Sequence, residues 1–109
     1  MIADFIYARD YAIQKNLWVV IVVPPEVLAD AQVSMAAVAS ENPFGGRTVI
    51  FPEGARLSLA VASDPLFLPD GQPFSVMFLG WGGNKTAATT AKEMTRWRKA
   101  ASKVMGKAA

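Results

Sequence analysis

Leu17 to Val23 reads LWVVIVV, seven consecutive apolar residues of which five are β-branched. Side chains of a strand alternate between its two faces, so a run that is apolar at every position predicts a strand covered on both sides, deep in a parallel or mixed sheet. Pro24-Pro25 closes the run, which is far short of the ~20 residues that a membrane helix needs. The rest of the chain therefore has to supply two covering layers and the neighbouring strands.

The segments on either side have helical spacing. From Ile2 to Lys15, Ile2, Phe5, Ile6, Ala12 and Ile13 share a broad stripe when the chain is wound at about 100° per residue, with Tyr7 and Tyr11 one turn apart on the other side, as edge-of-core residues or as candidates to fill a protein interface or stack bases. Arg9 projects from within the apolar stripe, either passing the edge of the core with its head in water or marking a buried ion pair or binding contact. Downstream, Pro25 suits the first turn of a helix and Glu26 suits its positive end. That helix, EVLADAQVSMAAVASE, turns Val27, Leu28, Ala31, Met35 and Val38 inward, and Asn42-Pro43 and Gly45-Gly46 end it. A buried strand, a helix and a second strand predict a right-handed, parallel β-α-β unit.

Residues 47–51 and 55–62, parted by Pro52-Glu53-Gly54, read as a hairpin. Leu57, Leu59 and Val61 alternate with Arg56, Ser58 and Ala60, which makes one face wetter and predicts an edge strand. The proline-rich stretch 63–73 carries Leu66, Phe67 and Leu68, as a lid folded on the core or as an interface in which Phe67 and Leu68 meet a partner. PFSVMFLGW, apolar at both parities, predicts a further central strand. The expected fold is α/β, one small domain spanning 1–109, with a mixed four-stranded sheet (β-α-β plus hairpin) packed by three helices. In it the 17–23 and 74–80 strands are central and the 55–62 strand lies at an edge.

The third helix is expected at about 85–105. Lys85, Lys92, Arg96, Lys99 and Lys103 fall on one line of it, opposite Ala87, Ala91, Met94, Ala101 and Met105. Trp97 borders the packing face, as a core anchor or an interface residue, and Arg98 sits among apolar positions where a partner could meet the helix. The charge is unevenly spread. Residues 85–109 hold seven bases and one acid, whereas 1–84 hold four bases and eight acids, within a net charge of +2. Such asymmetry points to an acidic protein surface or a nucleic acid.

The chain has 109 residues, 52% of them hydrophobic, and neither cysteine nor histidine. It cannot build a Cys or His metal site, a thiol nucleophile, an imidazole base or a Ser-His-Asp triad. A mean hydropathy of +0.25 is high for a chain of this size and predicts that a partner or a second copy covers some apolar surface. Asp4 and Asp10 stand where a signal peptide carries positive charge, so a cytoplasmic location is expected.

FLGWGGNKT, between a strand and a helix, resembles in outline the phosphate-binding loop of P-loop nucleotide hydrolases, with Lys85-Thr86 at the place of that family's lysine and hydroxyl residue. It departs from the pattern at Asn84, at the spacing back to Gly80, which is one residue short, and in having no downstream strand to bring a magnesium-holding aspartate. VVIVVPPEVLADAQ is similar to the strand, proline and helix that follow this loop in helicases and viral packaging motors. The likeness implies an α/β fold and no activity. Free N–H groups beside Lys85 would still suit a phosphate group.

The leading expectation is a non-enzymatic protein-protein interaction module, a small regulator, inhibitor or assembly component, with neither cofactor nor metal. The alternatives are a nucleic-acid-binding protein using the same helix and a degenerate P-loop-like nucleotide-binding protein.

Overall fold

The apolar run becomes β1 (Trp18–Val23), five of whose six residues are buried. The computed structural model describes residues 1–42, 44–45, 47–61, 74–80 and 95–99. Before β1 lies α1 (Ile2–Lys15), which ends at Asn16 in the left-handed conformation, φ 53° and ψ 54°. The Leu17 N–H then bonds to the Ala12 carbonyl at 2.9 Å, closing the last turn and swinging the chain directly into β1. After β1, a single turn at Pro25–Val27 leads into α2 (Leu28–Ala39).

Four more strands follow: β2 (Phe44–Gly45), β3 (Thr48–Ile50), β4 (Arg56–Val61) and β5 (Phe74–Phe78). The sheet order is β2-β3-β4-β1-β5. β1 runs parallel to both neighbours, with Trp18 level with Arg56 on one side and with Phe74 on the other. β3 and β4 form the expected antiparallel hairpin, Val49 opposite Leu57, turned by Glu53 and Gly54 at positive φ. With α1, α2 and the helical residues 95–99, this is the mixed α/β domain of four principal strands and three helices. The two-residue β2 lies on its rim.

Two lateral positions differ from expectation. Within the 55–62 stretch, β4 is central, paired with β3 on one side and β1 on the other, and Ser58, which made one of its faces look wet, is fully buried and hydrogen-bonded inside the sheet. Among the described residues the 74–80 strand ends the sheet instead, with Phe74 buried and Ser75 to Phe78 half-exposed. Apolar residues at both parities report cover above and below a strand and say nothing of a neighbour beside it. The parallel partner of β1 is also one strand later than expected. β3, the first long strand after α2, runs antiparallel to β4, and only the hairpin's second arm returns parallel to β1.

The sheet is covered on both faces, as the composition of β1 requires. Val19, Ile21 and Val23 join Leu57 and Leu59 against Phe5, Ala8 and Ala12 of α1 and Ala31, Met35, Val38 and Ala39 of α2. Four alanines in these two helix faces, Ala8, Ala12, Ala31 and Ala39, allow close approach to the sheet and leave the large volumes to β1 and β4. On the opposite face Val20, Val22, Ala60 and Phe74 pack against Trp97.

Candidate interaction surfaces

Tyr7 and Tyr11 leave α1 on the flank that faces β5. Their rings stack 6.4 Å apart, 18° from parallel, and Tyr7 is 63% exposed. Between them and the sheet edge runs a groove of about 270 Å³, with Tyr7, Ala8 and Tyr11 on one wall, Val19 on its floor and Ser75 to Met77 on the other. Among the described residues no carboxylate or lysine lines it. Its described lining is aromatic and apolar, and polar only at the hydroxyl tips.

The rest of α1 is turned somewhat from its expected orientation. Phe5, Ala8 and Ala12 are buried, while Ile2, Ile6 and Ile13 stay exposed beside them. The small Ala8 moves the buried stripe away from the isoleucines, a shift that periodicity weighted by side-chain size hides. Arg9 is not a buried ion pair. It is about one-third exposed and pairs with the adjacent Asp10 at 3.0 Å, a surface contact worth little.

On the other face, residues 95–99 are helical and Trp97 has no exposed surface at all. Trp97 is thus a core anchor and offers no surface to a partner. Its neighbours are solvent-facing: Thr95, Arg98 and Lys99 are exposed and Arg96 is half-buried. The Arg96 guanidinium lies 5.3 Å from the centre of the Trp97 ring, and that of Arg98 lies 5.4 Å from the ring of Phe78 on β5. Of the expected cationic line, Arg96 and Lys99 keep their outward setting. Lys85, Lys92 and Lys103 lie outside the described residues, as do the interface candidates Phe67 and Leu68 and the residues Asn84 to Thr86.

Gly80, read from the sequence as the first glycine of a phosphate loop, has a packing reason to be glycine. Its φ is 76°, and a Cβ there would stand 2.8 Å from Cγ2 of Val27. Sequence reasoning missed a polar cluster on the Trp97 face of the sheet. The Trp18 indole N–H donates to the Ser58 hydroxyl at 2.7 Å, and Ser58 shares a second bond with Thr48 at 2.8 Å. Arg56 lies over the Trp18 ring at 5.1 Å, with its Nε buried and unbonded. Trp18, Arg56 and Ser58 share a parity and the parallel register sets Trp18 beside Arg56. That alignment is a product of topology and has no signature along the chain.

Among the described residues no cluster of metal-ligating side chains occurs, and no helix is long and apolar enough to cross a membrane. Comparison with protein-family models, with curated proteins and with solved structures finds no match.

Proposed function

We propose that this chain is a non-enzymatic protein-interaction module, a small regulator, inhibitor or assembly component, that presents its basic segment around Arg96 and Lys99 to an acidic protein surface. The supporting observation is the setting of Trp97. One fully buried indole holds the segment on the sheet, with Arg96 half-buried beside it and Arg98 and Lys99 exposed. Cations on a segment anchored by a buried indole lose less conformational freedom on binding than cations on a free chain, and opposite charge on the partner supplies encounter rate and register.

The test compares the wild-type chain with an Arg96→Glu/Lys99→Glu variant in affinity capture, with and without nuclease. Binding should fall at least about tenfold in the variant. Stability should fall by only about 0.5–1 kcal/mol, because the Arg96 contact with Trp97 is lost. Equal capture of the same partner by both proteins would remove the basic segment from the proposal. Capture that nuclease abolishes, or an affinity that collapses between low and physiological salt, would replace a protein partner with a nucleic acid. Turnover of ATP or GTP that disappears in Lys85→Ala would replace both with nucleotide chemistry.

A further inference from the structure

β5 ends the described sheet, and its composition is unusual for an edge. Natural edge strands carry lysine, proline, a bulge or an inward charge that discourages pairing with another chain. Phe74–Phe78, FSVMF, carries none of these. The Leu79 N–H donates to the Val22 carbonyl at 3.1 Å, so in the parallel ladder Ser75, Met77 and Leu79 direct their backbone groups to β1. Phe74, Val76 and Phe78 direct theirs away from the sheet. Among the described residues no strand meets them.

The outward set is symmetric about Val76. Turned by a two-fold axis through that residue and perpendicular to the sheet, β5 meets a copy of itself antiparallel, with Val76 opposite Val76 and each Phe74 opposite a Phe78. All three outward positions then fall at hydrogen-bonded sites of the new ladder, and an aromatic pair flanks the axis on each side. No charge lies opposite a like charge within the strand pair.

The flank of α1 above this edge has the same symmetry. Asp4, Tyr7, Tyr11 and Lys15 are all exposed and fall within about 80° of one another around the helix. A copy of α1 running the opposite way sets Asp4 towards Lys15, Lys15 towards Asp4, and the tyrosines towards each other. With strands about 4.8 Å apart, the two β1 strands would be about 14 Å apart, and the two α1 helices, each packed over β1 and β4, would lie on one face of the joined sheet with their tyrosine flanks turned towards the seam. We infer that two copies of this chain pair through β5 about this axis, forming one continuous sheet with the Tyr7 and Tyr11 grooves joined across the seam. The inference stands on β5 and α1 and is independent of what the basic segment binds.

Sedimentation equilibrium over a wide concentration range tests it. The wild-type chain should be dimeric at micromolar concentration. Val76→Pro removes only an outward N–H and keeps the ladder to β1. It should weaken the dimer at least about tenfold, while circular dichroism shows the fold retained. If Val76→Pro does not fold, exposed charges carry the test instead. Asp4→Lys and Lys15→Asp should each weaken the dimer about threefold or more, and the double exchange should restore it. A wild-type chain that stays monomeric at high concentration overturns the inference. So does a dimer unaffected by these changes, or one that the double exchange fails to restore.

Discussion

The hydroxyl of Ser58 is fully buried between two strands, where it accepts the indole N–H of Trp18 and bonds to Thr48. Removing one partner of a buried hydrogen bond costs more than the bond itself is worth, because the other group loses water and gains nothing in return. Ser58→Ala should therefore lower stability by about 1–3 kcal/mol, read as a shift of the urea midpoint without change of slope. Thr48→Val, at the half-exposed end of the cluster, should cost less. Gly80→Ala should also destabilise, by more than about 1 kcal/mol, since it meets both an unfavourable φ and the Val27 methyl. A melt as stable as wild type would show that the turn at 79–80 can move away from Val27.

The strands show what a single sequence can report about an element. LWVVIVV is apolar at every position, and β1 is indeed covered above and below and flanked on both sides. FSVMF has the same alternation-free character, yet among the described residues it ends the sheet, because lateral neighbours contribute backbone hydrogen bonds and few side-chain contacts. RLSLAV looked half wet and is central, since a serine hydroxyl with two bonded partners is as well buried as a valine. The three strands, the hairpin and both long helices were therefore legible from periodicity and turn residues, while their lateral order was not. Leu59→Ala, in the middle of β4, should cost about 2–5 kcal/mol. Met77→Ala on half-exposed β5 should cost clearly less, and equal losses in thermal unfolding would contradict the order of the strands.

For the whole molecule, the sheet separates two clusters of buried side chains. Among the described residues, Trp97 is the largest side chain packed on the face opposite α1 and α2, where it meets Val20, Val22, Ala60 and Phe74. Trp97→Ala should cost about 3–5 kcal/mol and raise dye binding to exposed apolar surface before the helical circular dichroism of α1 and α2 is lost. Simultaneous loss of both signals would mean that the two layers unfold as one unit. The surfaces themselves were partly legible. Tyr7 and Tyr11 announced their exposure by falling off the apolar stripe of α1, but only the tertiary fold brings β5 beneath them, because the two are far apart along the chain.

The middle position of β1 also governs the order in which the molecule can be assembled during synthesis. Trp18 has its strand partners at Arg56 and Phe74, about forty and nearly sixty residues later. Until those strands emerge from the ribosome, an uncharged, β-branched segment waits with both of its edges unpaired, the kind of sequence that pairs with other nascent copies of itself. α1 is made before β1 and can fold against one side of that segment immediately, since only Asn16 and Leu17 separate them. Phe5, Ala8 and Ala12 would then serve the growing chain as a built-in shield for β1 before they serve the finished protein as part of its core.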